Sequence, residues 1–113
     1  MSCIFCKIIK GEIKTPFVYE DDSVVAFNDI KPQAPIHIII MPRQHVDTVQ
    51  NLNGSKIDIA GRLISAASII AKRKKIDISG YRLVINCNKD AGQEIFHLHI
   101  HLLGGRKFAW PPG

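Results

Sequence analysis

Three histidines fall at alternate positions near the C-terminus, in the run His97-Leu98-His99-Ile100-His101-Leu102. In an extended strand, successive side chains point to opposite faces, so this pattern predicts three imidazoles on one face and Leu98, Ile100 and Leu102 on the other. A rise of about 3.3 Å per residue sets neighbouring imidazoles roughly 6–7 Å apart and the outer pair roughly 13 Å apart. Such a row makes neither a good apolar core nor an ordinary solvent face. Two chemistries can use it: neutral imidazoles can ligate a metal, or one of them can attack an electrophile while a neighbour or a carbonyl fixes its tautomer. The span between the outer rings argues against all three meeting one ion.

Other chemistry-bearing residues stand apart from this row. Just before it, Asp90-Ala91-Gly92-Gln93-Glu94 reads as a short loop whose glycine permits close backbone approach and whose N–H groups suit an oxyanion. Two of the three cysteines, Cys3 and Cys6, form a C-x-x-C, a metal or redox spacing, while Cys87 reads as a small buried hydrophobe. His37 and His45 complete the five histidines.

The elements that must carry these groups can be read from periodicity. Ile4, Phe5, Ile8 and Ile9 predict a short helix ending at Gly11. Phe17 to Glu20 and Val24 to Asn28 predict strands joined by a turn, and His37 to Met41 a buried strand stopped by Pro42. Ser55 is the expected cap of the one long amphipathic helix, with Asp58 in its first turn and apolar positions from Ile59 to Ala71. The basic run Lys72 to Lys75 falls at its end, where cations complement the helix dipole. Tyr81 to Cys87 and Ile95 to Leu103 predict two more strands, separated by a polar loop from Asn88 to Gln93. This order favours an α+β domain with a mostly antiparallel sheet over a doubly wound one.

Composition limits the function classes. The chain has 113 residues, of which 46% are apolar, with a formal charge of +5. That suits one domain over 1–113 and excludes a disordered chain. The longest apolar stretch, Ile38 to Met41, is far short of the roughly 20 residues a membrane span needs, and no signal-peptide core follows Met1, so a cytoplasmic protein is expected. The positive balance suits nucleic acid or a phosphorylated small molecule, but an aromatic platform for nucleic acid is lacking.

With these residues in view, the chain resembles the histidine triad superfamily, whose signature is His-x-His-x-His followed by apolar positions. Gly104-Gly105-Arg106 and Trp110-Pro111-Pro112-Gly113 are similar to the branch of histidine-triad nucleotide-binding proteins, the purine nucleoside phosphoramidases. Ile4-Phe5-Cys6-Lys7-Ile8-Ile9, Phe27-Asn28-Asp29-Ile30 and Pro32-Gln33-Ala34-Pro35 extend the resemblance almost end to end. It implies a five-stranded antiparallel sheet with one long and one short helix, paired as a two-fold homodimer in which Trp110 reaches the partner's active site.

The implied reaction is hydrolysis of the P–N bond of adenosine or guanosine 5′-monophosphoramidates through a nucleotidyl-histidine, without a catalytic cofactor. Carried over, His99 is the nucleophile, His101 the phosphate contact that helps the amine leave, and His37 the histidine that orients the nucleophilic ring. Asn86 and the backbone at Gly92, Gln93 and Glu94 would bind phosphate together with His99 and His101. Some relatives carry serine where this chain has Glu94, so only the Glu94 amide transfers. Asp29 would take the ribose hydroxyls, and Ile4, Phe5, Ile8, Phe27 and Ile30 would wall the purine.

With those three histidines assigned, His45 and His97 remain as candidate partners for Cys3 and Cys6 in a structural zinc site, as in many bacterial-type relatives; free thiols are the alternative. Rival readings are a nucleotide-binding interaction module with little catalysis and a metallohydrolase built on the histidine row.

Overall fold

A computed structural model describes residues 3–113. Its elements are a helix α1 (Ile4–Ile9), strands β1 (Tyr19–Glu20), β2 (Val24–Asn28) and β3 (Ile36–Pro42), a long helix α2 (Ile57–Arg73), strand β4 (Tyr81–Val84), a one-turn helix α3 (Asn88–Ala91) and strand β5 (Ile100–Gly104). The five strands form one sheet in the order β1-β2-β3-β5-β4, and every neighbouring pair is antiparallel. The expected α+β architecture is what forms, with α3 and two 3-10 turns added to the two expected helices.

The sheet is covered on both faces over most of β2 and β3, which is why Val24–Phe27 and Ile38–Met41 are continuous apolar runs rather than alternating with polar residues. On one face Val24, Ala26, Ile38, Ile40, Ile100 and Leu102 join Leu63, Ala66, Ala67, Ile70 and Ala71 of α2. Those α2 positions recur at three and four residues and so form a single stripe. On the other face Val25, Phe27, Ile39 and Met41 pack with Phe5 and Ile8 of α1. Burying a side chain such as Ile38 or Ile40 stabilises the fold by roughly 1.5–3 kcal/mol. α1 is too short to cover the whole of this second face, and His99 and His101 lie half-buried where its cover ends.

Several expected boundaries shift, each for a local reason. Ser55 lies in a 3-10 turn, Gly54–Lys56, and Lys56 stands at the N-cap of α2 without a side-chain bond. β1 is confined to two residues, although the Val18 N–H still donates to the Ala26 carbonyl. β4 ends at Val84, and Cys87 is half-buried at the N-cap of α3 rather than in a core. The polar loop after it makes one helical turn, ended by Gly92 at φ 81°, a left-handed conformation that favours glycine. The last strand starts only at Ile100. Its ladder with β3 cannot continue past Pro42, which has no N–H, and the Leu98 N–H donates instead to the Val46 carbonyl at 2.6 Å.

Candidate functional site: two histidine clusters

The histidine alternation survives this shortening. Leu98, Ile100 and Leu102 enter the core under α2, while His97, His99 and His101 lie on the α1 side. The phenyl ring of Phe5 meets both His97 and His99 edge-on, with centroids 5.9 and 5.0 Å away. The row nevertheless divides, with His97 joining one cluster and His99 and His101 another.

In the first cluster, the C-x-x-C sits at the start of α1. The Cys6 N–H donates to Cys3 Sγ at 3.3 Å, which turns both sulfurs to one side. His45 lies in the turn after β3, and His97 is fully buried before β5. His97 donates from Nε2 to the Pro42 carbonyl at 2.8 Å, and His45 donates from Nε2 to Asp47 Oδ1 at 2.6 Å. Each neutral ring therefore presents a lone pair at Nδ1. Those two lone pairs face each other at 3.2 Å, with Cys6 Sγ 3.3 Å from His45 Nδ1 and 3.6 Å from His97 Nδ1, and Cys3 Sγ 3.5 Å from His97 Nδ1. A tetrahedral ion about 2.05 Å from nitrogen and about 2.3 Å from sulfur would set its ligand atoms roughly 3.3–3.8 Å apart. The four side chains fit that requirement and can hold a metal ion. Carbonyl and carboxylate partners on the outer nitrogens are what metal-ligating histidines need to fix the ring and its tautomer. Asp47 was not anticipated, although an acid two residues after a candidate ligand is a usable signal.

In the second cluster, His99 donates from Nδ1 to the His97 carbonyl at 2.7 Å. This leaves a lone pair on Nε2, the arrangement a nucleophilic imidazole requires. His37, on β3, accepts at Nδ1 from the Gln33 N–H at 3.0 Å, so its proton is on Nε2. That proton points to His101 Nδ1 at 2.9 Å, with Asp29 Oδ2 3.4 Å away. His101 is in turn left with its proton on Nε2. The His99 and His101 rings stand 5.0 Å apart, so the cluster offers one lone pair and one N–H donor side by side.

Desolvation sets the charge of these rings. Burial lowers the pKa of His99 and of His37, although the Asp29 carboxylate opposes it at both and the His97 carbonyl also opposes it at His99. Burial, reinforced by the neighbouring His99 and His37, takes His101 down to about 4. All three are neutral at pH 7 in the free chain.

One expected role changes: His37 meets His101, not His99, and the ring of His99 is held by the His97 carbonyl. β3 and β5 pair Ile39 with His101, so the His37 ring reaches along the face to His101 rather than one position further to His99. The expected phosphate loop also changes. The Gly92 N–H is spent on the Lys89 carbonyl and the Gln93 N–H on the Asn88 carbonyl, so neither is available to an anion. The Gln93 side chain is buried and bonded to Asn88, Asp47 and Ile95, which makes it a clamp on the loop. Among the described residues the Glu94 N–H has no partner, and the half-buried Asn86 side chain has none either. Asn86 follows β4 by two residues, and β4 ends at Val84, opposite His101.

The residues expected around a nucleoside are brought together in part. Phe5, Ile8 and Phe27 form a buried floor, with Phe5 edge-on to Phe27 at 5.7 Å. Asp29 follows β2, and its Oδ1 accepts from the Lys31 N–H at 2.7 Å. Ile4 and Ile30 are exposed, Ile30 to 92%, and Trp110 is 82% exposed at the far end of the tail. No helix among the described residues is long and apolar enough to cross a membrane.

Known proteins resemble this chain in sequence and in fold. The HIT domain model matches residues 10–108. The chain is 48% identical over 103 residues to the purine nucleoside phosphoramidase of Escherichia coli, covering 91% of this chain and 87% of that protein. It is 46% identical over 112 residues to the 14 kDa zinc-binding protein of Brassica juncea, covering 97% and 98%. The crystal structure of a HIT family hydrolase from Legionella pneumophila superposes with a TM-score of 0.96 at 44% identity, covering 99% of this chain and all of that one. The chain belongs to the HIT domain, or histidine triad, family.

Proposed function

We propose that the protein is a purine nucleoside phosphoramidase that cleaves the P–N bond of adenosine and guanosine 5′-monophosphoramidates. The observation that carries this reading is the pairing, on one open face, of a free lone pair at His99 Nε2 with an N–H donor at His101 Nε2. The phosphoramidase activity named for the Escherichia coli relative supports it.

In this account His99 Nε2 attacks the α-phosphorus as the P–N bond breaks. The departing nitrogen, protonated from solvent, takes the bonding pair and leaves as a neutral amine. A nucleotidyl-histidine remains, and water then cleaves it to the nucleoside monophosphate, free His99 and a proton. Two easier steps replace one difficult displacement. His101, the Asn86 amide and the Glu94 N–H donate hydrogen bonds to the phosphoryl oxygens, where fixed donors in a partly desolvated site are worth more than in water. Asp29 accepts from the ribose hydroxyls, and the purine rests against Phe5, Ile8 and Phe27, flanked by Ile4 and Ile30. A homodimer brings the exposed Trp110 of one subunit to the site of the other and closes the open face. A cytoplasmic location fits a nucleotide substrate.

Cys3, Cys6, His45 and His97 hold a structural zinc ion in the same reading, supported by the zinc-binding name of the Brassica relative. It cross-links α1 to the segments flanking β3 and β5, and it takes no part in the reaction.

Incubation with adenosine 5′-monophosphoramidates tests the reading. Wild-type protein should release AMP and free amine, and His99→Ala should bind AMP normally while turnover falls by at least ~10³-fold. Normal turnover by the variant, or nucleotide binding without turnover by the wild type, contradicts the assignment; the second outcome identifies a binding module.

A further inference from the structure

The chain that fixes the His101 proton does not end at Gln33. Beyond β5, Arg106 donates from Nε at 3.2 Å and from a terminal nitrogen at 3.0 Å to the Gln33 carbonyl, and its remaining terminal nitrogen donates to the Lys107 carbonyl at 3.3 Å. All of its polar partners are carbonyls, and the described residues offer it no carboxylate. The Phe108 ring centroid lies 4.2 Å from the Arg106 guanidinium carbon and 5.1 Å from that of Arg82, so two guanidiniums pack against one ring. Arg82 also donates to the Ala109 carbonyl at 3.0 Å. Next to Arg106, Gly105 adopts φ 90°, and a Cβ there would come within 2.9 Å of the Pro35 side chain. The segment after β5 is therefore seated against residues 33–35 by a bidentate bond and by a close contact that only glycine allows.

Those residues carry the tautomer of both site histidines. With the Gln33 N–H donating to His37 Nδ1, His37 must present its proton to His101, and His101 must keep its own on Nε2. If the Gln33 N–H turned away, both rings could exchange tautomers together. His101 would then direct a lone pair, rather than a donor, at a bound anion.

We infer that Arg106 is a positioning residue, which holds Gln33 so that its N–H locks His37 and, through it, keeps His101 a hydrogen-bond donor. The consequence for turnover rests on the phosphoramidase reading above, whereas the consequence for the tautomers does not.

The test combines nitrogen-15 NMR of the histidine rings with kinetics on an adenosine 5′-monophosphoramidate, using the full chain. In wild-type protein, Nδ1 of His37 and of His101 should be unprotonated and Nε2 protonated. Arg106 is exposed, so Arg106→Ala should fold; it should show mixed tautomers at both rings and a kcat about fivefold lower, with KM little changed. Arg106→Lys, which keeps a donor for the Gln33 carbonyl, should restore much of both. Gln33→Pro deletes the N–H itself and should give the larger tautomer shift. Unchanged ring nitrogens in Arg106→Ala, or a proton on His37 Nδ1 in the wild type, would overturn the inference. A tautomer shift without loss of kcat would overturn the positioning role. A wild type with the expected tautomers but no turnover would refute the phosphoramidase reading and leave the lock standing.

Discussion

The two histidine clusters use the same ring and differ in where one proton sits. In the cluster of Cys3, Cys6, His45 and His97, both outer nitrogens donate to oxygen, so two lone pairs and two sulfurs converge on a point that suits a cation. In the cluster of His37, His99 and His101, His37 donates to His101 and His99 donates to the His97 carbonyl, so the His37 proton fills the His101 lone pair that an ion would need. Asp29, His37 and His101 have donor atoms as close together as the first cluster does, yet the hydrogen bond between the two rings distinguishes them. The same imidazole thus serves a set that can hold a metal or an open acceptor and donor pair, according to whether sulfurs stand beside it and which carbonyl or N–H lies behind each ring. His97 joins the two: its side chain is in the first cluster and its carbonyl holds His99 in the second.

The sharpest way to separate the clusters is to remove a sulfur. Cys6→Ala should lose the metal and at least ~3 kcal/mol of stability, while turnover well below the new melting temperature falls far less than in His99→Ala. Metal analysis by mass spectrometry, without chelator in the purification, together with thermal melts, measures this. Metal-free wild-type protein with an unchanged melt would remove the distinction between the clusters.

A gentler perturbation acts behind the ligand. Asp47→Ala frees the His45 tautomer and should weaken metal affinity about tenfold, read by competition with a chromogenic chelator. The second cluster should not respond.

The smallest effect is on the acid side. His101 has a pKa near 6.5 when unfolded and about 4 when folded, so the unfolded chain binds the proton first as pH falls. Its contribution to stability is complete above about pH 6.5 and is lost towards pH 4. Urea midpoints measured from pH 7 to 4 in metal-saturating buffer should therefore fall less steeply for His101→Asn than for wild type. Parallel curves would show that His101 is not held neutral by its surroundings.

Much of this was legible in the sequence for physical reasons. Strict alternation places His97, His99 and His101 on one face whatever the strand's length, and the C-x-x-C brings two sulfurs together locally. The antiparallel sheet followed from runs of β-branched residues and a lack of strand-helix alternation. What could not be read was each proton's position, because it is decided by how the folded chain aims its polar groups: the Pro42 carbonyl reaches His97 from far along the chain, and the nearby Gln33 N–H and Asp47 are turned onto His37 and His45 by irregular segments that side-chain periodicity does not describe. His37, expected to orient His99, contacts His101 instead because of the register between β3 and β5. The Gly92 loop misled differently, since its glycine serves a helix cap that consumes two of the three amides expected to bind phosphate, those of Gly92 and Gln93.

The proposed reaction turns on covalent nucleotidylation of His99, whose Nε2 lone pair is left free by the bond from Nδ1 to the His97 carbonyl. Rapid acid quench of a single turnover with an adenosine 5′-monophosphoramidate, followed by intact-protein and peptide mass spectrometry, tests it most directly. An adenylyl adduct on His99 should form before AMP appears, decay as AMP accumulates, and be absent from His99→Ala. AMP release with no protein adduct on any time scale, or an adduct on His37 or His101, would contradict it.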